Sequence, residues 1–290
     1  MPRTVAGRVA RMRSGLEVRG LTVDYAATGW FADRRPRRAL DDVSLSVADG
    51  ETLGVVGESG SGKSTLARTI LGLVRPSAGE VLWDGRPVGP RDRPHVRQFR
   101  RDVQVVFQDP VGSLDPRSTA GESVAEALDA LEGVHDRAAA RARVIDAFES
   151  VGLDPSMAAR YPHQLSGGQC QRVAIARATI VRPRLLICDE AVSALDVSVQ
   201  AQIVNLLVDL RRRHGLALLF ISHNLAVVRH VADRVVVLRA GRRVEYGPVA
   251  AMFATPADPY TRRLLAAVPE PDPARARAAL QQASPDPYTA

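Results

Sequence analysis

Lysine is almost missing. The chain has 39 Lys plus Arg, and only Lys63 is lysine. Cysteine is scarce too: the 2 present, Cys170 and Cys188, follow no metal-type spacing and exclude a disulfide framework, so a reducing compartment fits. Aromatic residues make up 4% against 46% hydrophobic, the balance of an α/β protein built on Val, Leu and Ala. No apolar run approaches the roughly 20 residues needed to span a bilayer. The longest, residues 216–221, reads as a buried strand. Residues 1–14 are basic but lack an apolar core, so no secretion signal is expected. The chain is expected to be soluble and to reach a membrane only through a partner. The net charge of +7 excludes little by itself. Arginine is scattered, with its densest runs at 34–38, 97–101 and 211–213, and no stripe for nucleic acid emerges.

What is there begins at that lone lysine. Gly57-Glu58-Ser59-Gly60-Ser61-Gly62-Lys63-Ser64-Thr65 fits G-x-x-x-x-G-K-[ST], the phosphate-binding P-loop. Its glycines, Gly57, Gly60 and Gly62, let backbone amides turn inward around phosphate oxygens, with Ser59 in the same loop, and the following helix aims its positive end at them. A compact ammonium can follow the β- and γ-phosphates inside such a cradle where a planar guanidinium fork cannot. Ser64 offers a hydroxyl to Mg²⁺ and Thr65 one to the α-phosphate. Ordinary residue frequencies give on the order of one chance match per hundred chains of this length. The context lowers that further: residues 52–56 read as a buried strand and 64–71 as a helix.

Val43, Leu45 and Val47 alternate as on a half-buried strand. Residues 80–85 read as strand and turn, and 103–107 as another strand. Helical patterns at 124–131 and 138–151 then mark an inserted lobe over 108–165. Strands return at 185–188, 218–221 and 235–238, alternating with helices at 199–214 and 225–230. The expected division is a basic tail over 1–15, a first core part over 16–107, the lobe, a second core part over 166–254, and an extension over 255–290 with one helix at 260–268. Alternating strands and helices predict a mostly parallel sheet covered on both faces.

Two further segments carry chemistry. Leu185-Leu186-Ile187-Cys188-Asp189-Glu190 delivers two carboxylates at the end of an apolar strand. Strand alternation points them opposite ways, which predicts different jobs: Asp189 on Mg²⁺ through water, Glu190 on the attacking water. Leu165-Ser166-Gly167-Gly168-Gln169 opens a helix and forms a second anion site from amides, a hydroxyl and a helix dipole. Ser166 could also simply cap that helix. One nucleotide does not need two such sites from one chain, whereas two chains placed head-to-tail use both.

With these motifs in order, residues 16–270 resemble the ATP-binding subunit of an ABC transporter. The resemblance implies a RecA-like P-loop NTPase core with a mostly parallel sheet, an antiparallel β subdomain and an inserted helical subdomain. It implies ATP and Mg²⁺ as cofactors, with Ser64, Gln108 and Asp189 toward the metal. Gln108 resembles the Q-loop glutamine that senses Mg²⁺ and couples to the membrane subunits, and residues 193–196, ending in Asp196, the D-loop at the dimer interface. His223 resembles the switch histidine on the γ-phosphate, grouped with Glu190 and Gln108 as catalytic. Tyr25 resembles the aromatic that stacks on adenine and is favoured over Trp30 and Phe31. Residues 108–117, 194–203 and 259–269 are similar to those of oligopeptide/dipeptide importers, and Cys188-Asp189-Glu190-Ala191 leans toward their second, F-type ATPase. Several relatives with this tail carry cysteines for an iron–sulfur cluster; with no cysteine after Cys188, this chain is expected to hold none. The implied partners are a second ATP-binding subunit, a paralogue favoured over a second copy, two membrane permease subunits and an extracytoplasmic substrate-binding protein, with no nucleic acid. The implied location is the cytoplasmic face of the cell membrane. Cys170 departs from the Arg or Gln common at its position. On the first turn of a helix, a thiol can acquire a lowered pKa and redox sensitivity; a tolerated, inert substitution is the favoured alternative.

Overall fold

The computed structural model describes residues 15–25, 37–193 and 195–267. The basic tail up to residue 14, Trp30, Phe31, Ala194 and the extension from 268 onward lie outside the described residues.

Two sheets organise the molecule. β1 (Leu16–Tyr25) and β2 (Arg37–Val47) form a long antiparallel pair. β3 (Thr52–Val56) is wholly buried and runs into the P-loop and α1 (Lys63–Ile70). β4 (Ala78–Trp83) and β5 (Arg86–Pro87) complete an antiparallel sheet of order β2-β1-β4-β5. α2 (Arg93–Asp102) leads into β6 (Val103–Val106). The helices α3 (Ala120–Glu132) and α4 (Arg137–Ser150) and two 3-10 turns fall in the segment expected as the lobe, and α5 (Gly167–Thr179) follows it. β7 (Leu185–Asp189), α6 (Val197–His214), β8 (Ala217–Ile221), α7 (Leu225–Val231) and β9 (Arg234–Arg239) restore the strand–helix alternation. β10 (Arg242–Pro248), α8 (Val249–Ala254) and α9 (Pro259–Ala266) close the described chain. No described helix is long and apolar enough to cross a membrane.

The second sheet has the order β10-β9-β3-β8-β7-β6 and is parallel except for the edge pair β9–β10. It separates two cores. Leu185 and Ile187 of β7 pack with α1 and the antiparallel sheet, while Leu186 and Cys188 pack with α3, α4, α5 and α6. This is the period-two alternation of a strand buried on both faces, and it explains why such strands read as unbroken apolar runs. Arg184, just before β7, fastens the sheets together. It donates to Asp49 (2.8 Å) and Asp84 (2.6 Å), and its guanidinium lies 4.7 Å from the Trp83 ring centroid.

The order of the parallel strands places the site. In α/β sheets ligands sit at the carboxyl ends of strands, where the connections diverge. The P-loop leaves β3, His223 follows β8, Glu190 follows β7 and Gln108 follows β6. These four strands are consecutive neighbours, so four segments far apart in sequence meet at one edge.

The sequence reading missed α2, β10 and α8. The arginine run at 97–101 lies on α2, of which only His95 and Phe99 are buried, so the helix shows little apolar periodicity. β1, ten residues long, is likewise not marked out in the sequence.

Candidate nucleotide site

The P-loop is shaped by backbone that side chains would obstruct. Gly57 has φ 155° and Gly62 φ 107°. A Cβ on Gly57 would stand 2.3 Å from the Leu238 carbonyl oxygen, and one on Gly62 2.7 Å from that of Ala39. Only glycine tolerates both the dihedrals and the approach. Gly62 also caps α1 without a side-chain hydrogen bond, which leaves the first helix amides, from Lys63 onward, without partners from the cap. Lys63 is buried, and its Nζ donates to the carbonyls of Gly57 (2.8 Å) and Glu58 (3.0 Å). Burial pulls its pKa below the usual ammonium range, and Glu190 and Asp189 oppose that shift. The buried Ser61 hydroxyl finds no partner. Unfilled amides, an ammonium and an orphan hydroxyl concentrate donors in one concavity, and that donor set fits a polyphosphate.

Asp189 ends β7 and accepts from the Ser64 hydroxyl at 3.1 Å. Burial raises its pKa and the neighbouring Glu190 adds to that, against the Ser64 hydrogen bond. A carboxylate beside a hydroxyl is a donor pair suited to a divalent cation.

Glu190 corrects the sequence reading. Alternation sends it to the opposite face from Asp189, but its φ is 50°, a left-handed turn that ends the extended backbone. Its carboxylate therefore returns to the site, Oε1 at 3.8 Å from Lys63 Nζ and Oε2 at 3.5 Å from His223 Nδ1. The turn is held by Ser193, whose amide and hydroxyl donate to the Glu190 carbonyl at 3.0 and 2.9 Å. Functional sites hold such uncommon backbone where the surroundings enforce it.

Tyr25 ends β1 with its hydroxyl 3.4 Å from the Thr65 hydroxyl, at the rim of the loop. Gln108 is exposed two residues beyond β6, whose Val106 registers with Cys188 of β7. Asp196, at the start of α6, makes no side-chain cap.

The second anion segment sits elsewhere on the chain. Ser166 caps α5 in a reciprocal box: its hydroxyl accepts from the Gln169 amide (3.3 Å), and the Gln169 side chain accepts from the Ser166 amide (2.9 Å). The capping role is thus real, and it leaves the hydroxyl proton and the amides of Gly167 and Gly168 available. Among the described residues no hydrogen bond or ion pair joins this segment to the P-loop. It packs instead on the start of α6, where a Cβ on Gly168 would meet Val199 at 2.8 Å. The α5 helix reaches the segment after Gln108 through Arg177, which donates to the Ser113 carbonyl at 2.7 Å.

Cys170 follows the favoured, inert alternative. It falls on the first turn of α5 but faces the core, buried, with its thiol directed at the Pro162 carbonyl (3.6 Å). Burial pushes its pKa up, the reverse of the lowering a helix start suggests. Cys188 is buried as well and pushed up to about 12 from an ordinary thiol value of 9.0. Neither thiol should react with N-ethylmaleimide in the folded chain near neutral pH, as read by intact mass, and both should react on denaturation. Because the folded state favours the protonated Cys188, that contribution to stability is complete below pH 9 and is lost as pH rises toward 12.

A groove of about 940 Å³ lies between α3, α4 and the turn at Pro155–Ala159. No P-loop residue lines it, and it has no part in the site described.

A phosphate loop after β3, acidic residues at the end of β7, across the intervening β8, and a second anion segment opening a helix define a P-loop ATPase of the ATP-binding-cassette class. The chain belongs to the ABC transporter family: the family model of that description matches residues 40–193, and the model for the C-terminal region of oligopeptide/dipeptide transporters matches residues 244–290. It is an ATP-hydrolysing subunit of a transporter. It is 52% identical over 264 residues to a probable peptide ABC transporter ATP-binding protein, y4tS, of Sinorhizobium fredii, covering 90% of this chain and 74% of that one. It is 50% identical over 262 residues to the oligopeptide transport ATP-binding protein OppF of Escherichia coli, covering 89% and 78%. Among solved structures it resembles the dimeric cassette MJ0796 in a post-hydrolysis state with ADP and Pi. The TM-score is 0.71 and the identity 31%, over 81% of this chain and 98% of that one.

Proposed function

We propose that the chain is the motor subunit of an oligopeptide or dipeptide importer, working at the cytoplasmic face of the cell membrane. The cargo reading is supported by the match of residues 244–290 and by the two relatives, named for peptide and oligopeptide transport. The observation that carries the motor reading is the meeting of Lys63, Asp189, Glu190 and His223 at one sheet edge.

In this reading the amides after Gly62 and Lys63 hold the β- and γ-phosphates, and Tyr25 stacks on the adenine. Ser64, Asp189 and Gln108 hold Mg²⁺, which neutralises charge on the phosphate oxygens when bound. Glu190 takes the proton of the attacking water, and His223 contacts the γ-phosphate. Ser166, Gly167, Gly168 and Gln169, with Asp196 beside them, complete the site of a second ATP-binding subunit, a paralogue or a copy. The dimeric MJ0796 cassette supports that arrangement. The lobe over 108–165 transmits closure to two permease subunits, fed by an extracytoplasmic binding protein. ATP closes the pair and hydrolysis reopens it, so the binding energy of the shared phosphates does the mechanical work.

The test is ATPase activity of the purified chain with its permease subunits in vesicles. Stimulation by peptide-loaded binding protein is expected. Stimulation by nucleic acid, with no response to the membrane subunits, would overturn the reading.

A further inference from the structure

The chain beyond β10 returns to the P-loop. Glu245 of β10 accepts the amides of Ala257 (2.9 Å) and Asp258 (3.1 Å). Burial opposes its ionisation, but those amides help to hold the carboxyl below its ordinary range. Asp258 in turn caps α9 by accepting from the Tyr260 amide at 2.7 Å. Two carboxylates thus fix where α9 begins, and with it the direction of Tyr260. That side chain is 4% exposed, and the Arg239 guanidinium lies 5.0 Å from its ring centroid. Its hydroxyl accepts the amide of Glu58 at 3.1 Å.

The Glu58 amide shares a peptide group with the Gly57 carbonyl, and that carbonyl accepts from Lys63 Nζ at 2.8 Å. A trans peptide points its N–H and C=O in opposite directions, and no described peptide bond is cis. One rigid plane therefore runs from the Tyr260 hydroxyl to the Lys63 ammonium. Gly57, without a Cβ, does little to resist rotation of that plane, so its orientation depends on what holds the two ends. Hydrogen bonds in series also polarise one another.

We propose that Tyr260 is a positioning residue of the ATP cradle: its hydroxyl fixes the peptide that holds Lys63, which makes the C-terminal region a working part of the nucleotide site. The inference rests on the reading of residues 57–65 as that cradle. Its alternative is that Tyr260 only packs α9 against the core.

Tyr260→Phe separates the two, because it removes one oxygen and keeps the ring beneath Arg239. In the full chain, calorimetry should find ATP bound about 3- to 10-fold more weakly, the scale of one net hydrogen bond. Hydrogen exchange at the Glu58 amide should quicken by a similar factor in the nucleotide-free protein. The melting temperature without nucleotide should fall by no more than about 3 °C. Lys63→Ala is measured in parallel and should lose ATP binding. Wild-type affinity in Lys63→Ala would remove the cradle reading itself. Loss there, with unchanged affinity and exchange in Tyr260→Phe, would leave the cradle standing and overturn the role of Tyr260.

Discussion

Glu190→Gln should bind ATP at least as tightly as the wild type while turning it over about 10²- to 10⁴-fold more slowly, the usual scale for losing a general base. Glutamine keeps the size of the side chain and can still meet Lys63 and His223, at 3.8 and 3.5 Å from the present carboxylate. It cannot take a proton. Affinity is preserved for an electrostatic reason. Glu190 adds to the raised pKa of Asp189 and crowds negative charge around Lys63, so its neutralisation leaves the site better disposed toward phosphates. Calorimetric ATP binding alongside phosphate release from the assembled transporter checks both halves. Near-normal turnover would exclude Glu190 as the base.

Ser166→Arg should reduce hydrolysis by about 10²-fold, comparable to losing a positioned donor, and at a site this chain does not own. Ser166 is exposed at the start of α5, beside two glycines whose amides are free. Arginine removes the cap, at about 1 kcal/mol of stability, and fills the space in front of those amides. The cap loss alone predicts a small drop in melting temperature and no catalytic change. A large catalytic loss with little destabilisation separates blocked chemistry from a frayed helix. Lys63 and its loop are untouched by the substitution, so ATP binding to the isolated chain should stay normal.

The parts of this molecule that sequence displays are those whose cause is local. β3, β7 and β8 are buried at every position, and continuous apolar runs announce that without help. The P-loop is legible because its glycines and lysine fall within nine consecutive residues, although the carbonyls that exclude a Cβ at Gly57 and Gly62 come from Leu238 and Ala39. β10 has no buried residue and is ordered by its antiparallel pairing with β9, so no alternation marks it. α2 is concealed for the same reason, with two buried side chains among ten residues. The site's assembly is hidden differently. Ser64 and Asp189 stand 125 residues apart and meet only because of the strand order. Alternation predicts opposite directions for Asp189 and Glu190 and misses the left-handed residue that ends the strand and keeps Glu190 at the site, a turn held by Ser193. The redox alternative for Cys170 fails because position along a helix says nothing about which face it presents. Tyr260 falls at the start of the helix expected at 260–268, but its contact with Glu58 spans 202 residues.

The central claim is that Lys63 holds half of an ATP site whose other half comes from a second subunit. Vanadate trapping of photoreactive azido-ATP tests it directly in the purified transporter, with the two ATP-binding subunits distinguished by a tag. In Ser166→Arg, trapping should disappear from the P-loop of the partner subunit and persist at the Lys63 loop of the substituted chain. Trapping lost at the chain's own loop and retained on the partner would contradict the account.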